Sequence, residues 1–408
     1  METRLTETGS AGGRDKARLV LILAWAGAVI AVLPAILHWA PHATANGSAR
    51  ALRVAIANLL AFAICYAMYR AEKRRIGRAL ALALVFLVVL LAAIVNQMHK
   101  TIVDYGVPHS TVKDNTQWQL EFHNYVIDMD PGALPHSYRF LPNAIVRWME
   151  IGGFSFEAAR NLYRMYFGLL IFYALYRFAR LYTDYGGAII AMLLTAVIYP
   201  VSFIHYAGQL TDPLSHLSFL LCYIFLETQD FPFFLSSMLI GSLAKETVLA
   251  LAGYYVLFAR KEKHYPVKAF AACICGAATY LGVRLLVLTR AMGYRNVSGV
   301  GLEQVARNWH EPLWRNLFLL TAGALVPFLV LGWSKTSRPL KNLALFLFPV
   351  IFVSSLFFSW LAETRNFMPL VFVLAVIAGN FLSQESGRAE EEQRLPARSA
   401  PGHAKPSE

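Results

Sequence analysis

The amino-acid sequence predicts an all-α polytopic membrane protein, and three observations carry that prediction. Of its 408 residues, 57% are hydrophobic and only 15% carry a charge, too few to clothe a water-soluble surface. Apolar runs of roughly twenty residues recur from Arg18 to Ser383, each able to cross a hydrocarbon core of roughly 30 Å at about 1.5 Å per residue. Lysine and arginine collect in alternate loops, the pattern of chains that keep positive charge on the cytoplasmic side. Together these imply about 11–12 transmembrane helices in one membrane domain over 18–383, with disordered tails at 1–17 and 384–408.

The segments fall at 18–38, 51–69, 79–98, 160–180, 187–205, 213–228, 232–258, 269–289, 315–333, 342–360 and 366–383. Basic residues precede the first, and Ala43-Thr44-Ala45 follows it. Its apolar core is too long for a cleaved signal, so it reads as a retained anchor. Arg70, Lys73, Arg74, Arg75 and Arg78 then mark a cytoplasmic loop, residues 99–155 a long outer loop, and Arg177 and Arg180 the next inner turn.

Segment 232–258 breaks the alternation. As one straight span it would invert every later loop and bury Lys245 and Glu246 at the bilayer centre, at about 3 kcal/mol each. A hairpin of two short helices with Lys245-Glu246 at its tip removes both problems. It returns Arg260, Lys261, Lys263 and Lys268 to the cytoplasm, with Lys335, Arg338 and Lys341 after them. Both termini are then cytoplasmic, an arrangement that suits a bacterial inner membrane.

The net charge of +12 follows from these loops; no basic stripe with interleaved aromatics stands outside the spans, which argues against nucleic acid as a partner. The four cysteines (Cys65, Cys222, Cys273 and Cys275) lie inside apolar segments and read as packing residues, neither a disulfide framework nor a metal site.

Chemistry is therefore sought in the polar residues that face outward. The loop at 99–155 carries Asp104, His109, Asp114, Glu121, His123, Asp128, Asp130 and His136. It then turns basic and aromatic at Tyr138-Arg139-Phe140-Leu141-Pro142, and Asn143–Glu150 has the apolar spacing of a helix lying on the membrane surface. Any one of these acids is ordinarily just solvated. Glu121 and His123 leave a divalent cation open as a cofactor, but no established ligand spacing appears and no metal ligand is assigned. His205-Tyr206 and Thr211-Asp212-Pro213 form an outer turn, where Asp212 is either a helix N-cap or a second site acid. Lys245-Glu246 is either a structural ion pair or, as intramembrane charges often are, a functional one. Glu363-Thr364-Arg365 joins the last two spans, and Arg160 and Arg164 read as side chains snorkelling from the fourth.

In order along the chain these features run Lys113-Asp114-Asn115-Thr116-Gln117-Trp118, Tyr138–Pro142, Asp212 heading a span, Ala244-Lys245-Glu246-Thr247 in an apolar hairpin, and Glu363–Pro369 opening the last span. That order resembles the C-type integral membrane glycosyltransferases, the GT-C superfamily, over roughly residues 104–369. Two features differ from familiar members: the acid-bearing loop follows the third span rather than the first, and an acid close to its span corresponds better to Asp104 than to Asp114. The resemblance implies a GT-C-like fold and transfer of a sugar from a polyprenyl-phosphate donor to a glycan, lipid or protein acceptor outside the cytoplasm. It implies Asp114, Asp104 and Asp212 as catalytic candidates. Tyr138, Arg139, His205, Lys245, Glu246, Glu363 and Arg365 are the implied substrate-binding residues. The chemistry suits those residue types: a carboxylate can take the acceptor hydroxyl's proton, and preorganised cations stabilise the departing phosphate. Three other readings stand beside it: a lipid or solute transporter, a polysaccharide polymerase or ligase, and an assembly protein without catalysis.

Overall fold

The computed structural model describes residues 112–129, 136–202, 210–290, 301–310 and 313–394. The first three expected spans, the loop residues Asp104, His109 and Asp130, and His205-Tyr206 lie outside the described residues. Every element among those described is helical, with no strand, as the hydropathy pattern predicts.

Within the stretch expected to form the long outer loop, the described residues are largely helical. Helix α1 (Val112–Ile127) forms because Gln119, His123 and Val126 recur at helical spacing and are buried together. One tight turn (His136–Arg139) leads into α2 (Leu141–Ile151), which carries Pro142 in its first turn and exposes Trp148 and Ile151 while burying Val146, so the stretch 143–150 is helical and two-faced as its spacing predicts. Helix α3 (Phe156–Ala179) opens on Ser155, whose hydroxyl accepts from the Ala158 amide at 3.3 Å.

The bundle follows as α4 (Tyr185–Val201), α5 (Thr211–Glu227), α6 (Phe231–Ser242), α7 (Ala250–Phe258) and α8 (Tyr265–Arg290). Helix α9 (Leu302–His310) precedes a longer rod made of α10 (Leu313–Phe318), a π-helical turn (Leu319–Gly323) and α11 (Ala324–Gly332). Helix α12 (Arg338–Phe358) and α13 (Met368–Arg394) complete it. Helix α13 runs past residue 383 into the stretch expected to be a disordered tail. Its continuation is rich in Glu, Gln and Arg, all good helix formers, with no proline before Pro396.

Segment 232–258 is broken, not straight. Antiparallel α6 and α7 pack Phe234 on Tyr255 at 5.4 Å between ring centroids and Phe231 on the same ring at 5.3 Å. Four of the described spans (Tyr265–Leu286, Trp314–Gly332, Arg338–Phe358 and Thr364–Gln384) are long and apolar enough to cross a membrane; Tyr185–Tyr199 and the two halves of the hairpin are apolar but shorter. The last of the four is the pillar: 72% of its apolar window is buried, against 17% for Tyr265–Leu286. Helix α13 lies along α4, with α11 and α12 on its flank, while α3, α5 and α6 pack in series beside it. The α4–α13 crossing is set by Gly187 and Gly379: a β-carbon on Gly379 would sit 2.2 Å from the Gly187 carbonyl oxygen, so only glycine allows this approach.

Two expectations about single residues are corrected. Arg160 and Arg164 do not snorkel: both are buried, Arg160 donating to the Gln119 side-chain oxygen and lying 5.9 Å from the Phe156 ring centroid. Asp212 is not an N-cap, since α5 is capped at Leu210 and Asp212 lies inside its first turn.

Candidate functional site

Helix connectivity brings four distant stretches to one end of the bundle: the turn His136–Arg139, the start of α5, the break between α6 and α7, and the turn between α12 and α13. The Leu141 amide donates to the Leu243 carbonyl at 3.3 Å and pins the first to the third.

The break explains how two adjacent charges serve different partners. Lys245 is extended (φ −161°, ψ 120°), followed by one tight turn, Glu246–Leu249. Successive side chains on extended backbone point to opposite sides, so Lys245 and Glu246 separate rather than pair with each other. Glu246 receives both the Nε and Nη2 protons of Arg139, each at 2.8 Å, a bidentate pair that fixes the guanidinium plane. Lys245 turns the other way, donating to Asp212 Oδ1 at 3.4 Å and to the Asn366 side-chain oxygen.

Asp212 is wholly buried and anchors both remaining cations, because Arg365 Nη1 donates to its other oxygen at 3.0 Å. Arg365 Nη2 donates to Glu363 at 3.0 Å, Ser359 donates to the same carboxylate at 3.0 Å, and Asn366 donates to Ser359 at 3.1 Å. One turn along α5 from Asp212, His216 bonds the Arg365 carbonyl oxygen through Nε2 at 3.1 Å and the Tyr199 hydroxyl through Nδ1 at 2.9 Å. A carbonyl can only accept, so Nε2 carries the proton and Tyr199 donates to Nδ1. Tyr223 continues the same face of α5, donating to the Pro369 carbonyl at 3.2 Å. Asp212 and His216 thus tie α5 to the turn before α13, and Tyr223 ties it to the first turn of α13.

The two halves are one electrostatic unit, because His136 in the turn before α2 feels Arg139, Arg365, Glu363 and Glu246 together. Burial, then the two arginines, lower its pKa from 6.5 to about 3, so the imidazole is neutral at physiological pH. Burial would raise the Glu363 carboxyl, but Arg365 and Lys245 beside it outweigh that and hold it below the ordinary carboxylate range. Burial likewise works against the Arg139 charge, and Glu246 more than compensates.

Of the sequence-predicted residues, the structure brings together Arg139, Asp212, Lys245, Glu246, Glu363 and Arg365. Tyr138 stands beside Arg139, with its ring centroid 4.6 Å from the Arg284 guanidinium on α8. Asp114 lies on α1, its side chain outside the described residues, as are Asp104 and His205 altogether. Asp212, engaged by two cations and shut from solvent, is suited to holding them in place rather than to taking a proton. Sequence reasoning missed Ser359, Asn366, His216 and Arg284; only Asn366 carried a signal, sitting inside the Glu363–Pro369 string. Among the described residues no group of three or more His, Cys, Asp or Glu could hold a metal ion.

No family model, no curated protein and no solved structure matches the chain.

Proposed function

We propose that this chain is a membrane glycosyltransferase, moving a sugar from a polyprenyl-phosphate donor to a cell-envelope acceptor. The observation that supports this most is the gathering of Arg139, Lys245 and Arg365 from three separate elements into one water-poor cluster. As the acceptor oxygen attacks the anomeric carbon, its bond to the phosphate oxygen breaks and negative charge develops on the lipid phosphate. Fixed cations stabilise that charge far better in such a place than in water. Asp212, Glu246 and Glu363 hold the three cations until a phosphate takes over as their counter-ion. The acceptor's proton goes to a carboxylate of the outer segment, Asp114 on α1 or Asp104 before it. The turns around Arg180, Arg260–Lys263 and Lys335 lie at the opposite end of the helices from the cluster, so the positive-inside rule puts the cluster on the outer side.

A transporter is the second reading, favoured by one observation: the three cations are balanced by three carboxylates, with Asp212 shared, a closed and neutral set that ion- or proton-coupled carriers also use. A deletion strain separates the two. Glycosyl transfer is expected to show as a surface glycan lacking one residue type together with accumulated polyprenyl-phosphate sugar, by mass spectrometry. Complementation with Asp114→Asn or Arg139→Gln should fail at normal protein abundance. Unchanged surface glycans in the deletion strain would remove the proposal.

A further inference from the structure

Arg284 stands apart from the closed cluster. It sits near the end of α8 opposite the basic turn at Arg260–Lys263, about 28 Å from Tyr265 at about 1.5 Å per residue. That distance nearly spans a hydrocarbon core of roughly 30 Å, so its guanidinium reaches headgroup depth. The flank around it faces outward: Tyr280, Leu281, Leu285 and Leu286 are all exposed. The guanidinium lies 3.4 Å from the Tyr280 ring centroid, one helical turn away, and 4.6 Å from that of Tyr138.

Two consequences follow from this placement. Stacking on aromatic faces uses the π surface of a guanidinium and leaves its in-plane N–H edges available for a planar or tetrahedral oxyanion. The local charge is also unbalanced. Among the described residues, the carboxylate on which Arg284 is shown to act is Glu246, and both oxygens of Glu246 already accept from Arg139. With His136 neutral, the group Arg139, Glu246 and Arg284 carries one excess positive charge beside an apolar, outward-facing helix surface. An anion that brings its own hydrocarbon fits both features.

We infer that Arg284, with Tyr138 and Tyr280, forms a binding site for the phosphate headgroup of an anionic membrane lipid at the outward flank of α8. The headgroup phosphate accepts from the guanidinium edge, the tyrosine rings hold that edge in place, and the acyl chains lie along Leu281 and Leu285. The site opens sideways to the bilayer and borders the Arg139–Glu246 pair. It stands on this geometry whether or not the neighbouring cluster transfers a sugar.

The test is native mass spectrometry of the purified full-length chain with phosphatidic acid, phosphatidylcholine or inorganic phosphate added. The wild type is expected to retain one phosphatidic acid at least tenfold in preference to phosphatidylcholine, and millimolar inorganic phosphate should not displace it. Arg284→Gln should lose that preference. Arg284→Lys and Tyr280→Ala, which keep a positive charge there but not the stacked fork, should weaken it several-fold and report even if the first variant folds poorly. Equal retention by the wild type and all three variants would overturn the site. Displacement by inorganic phosphate alone would overturn the lipid assignment, leaving a free-anion site. Since the readout is lipid retention and not product, a failed glycan assay leaves this result intact.

Discussion

At the scale of single residues, the candidate site is governed by where charge is allowed. His136 is the clearest case: folded, its pKa is about 3, against 6.5 ordinarily. Between those values the unfolded chain binds a proton that the folded one refuses, so stability falls as pH drops below about 6.5. Melting in detergent is expected to be lower at pH 5 than at pH 7.5, and His136→Gln should flatten that dependence; an unaltered slope would show that the imidazole is not held neutral. Much of the site was legible at this scale, because Lys245, Glu246, Asp212 and Arg365 are costly in or beside apolar runs and so stand out. What could not be read is pairing. Lys245-Glu246 looks in sequence like one ion pair, and one extended residue sends the two side chains to different partners. Arg284 offered no signal separating it from a cation that snorkels at a span's end.

Secondary elements explain how the residues meet. The break at 243–249 leaves two short helices whose tip docks on the turn before α2, and hydropathy together with the positive-inside pattern foretold that break. Helix α1 was not foretold, since its buried face is polar (Gln119, His123) and a polar stripe in a loop reads as solvated. The crossing of α4 and α13 was equally hidden: glycines in apolar runs are common, and only the fold shows which two touch. Gly379→Ala would drive a methyl group into the Gly187 carbonyl at 2.2 Å. A loss of about 1–3 kcal/mol is expected, as for other overpacked contacts, read as a lowered melting temperature. Gly282→Ala on α8, with nothing within 4 Å of the new methyl group, should be neutral or mildly stabilising. The reverse order of these two variants would contradict the packing.

At the scale of the whole molecule, the described residues form a helical bundle with charge sorted by end. The turns holding Arg180, Arg260, Lys261, Lys263 and Lys335 share one end, and the cluster built on Asp212 the other. In a cysteine-free background, Lys263→Cys is expected to resist a membrane-impermeant thiol reagent in intact cells, whereas Trp309→Cys, exposed on α9, should react. Labelling in the opposite sense would invert the orientation. Helix α9 shows how the ends are finished. It buries Gln304 and Asn308 against the last carbonyls of α12, at 2.9 Å from Ser359 for Gln304 and 3.0 Å from Leu356 and Ser359 for Asn308. Its exposed face mixes Leu302 and Trp309 with the Glu303–Arg307 ion pair, a composition suited to an interface between apolar and polar surroundings.

The pillar α13 follows every other described helix in the chain, which has a bearing on biogenesis. A ribosome delivers Asp212 and Lys245 to the bilayer well before Arg365 and Asn366 emerge. Until then Asp212 has Lys245 alone as its counter-ion, and Lys245 lacks its contact to Asn366. Insertion of the earlier spans is therefore provisional, and the last helix acts as the clasp that commits them.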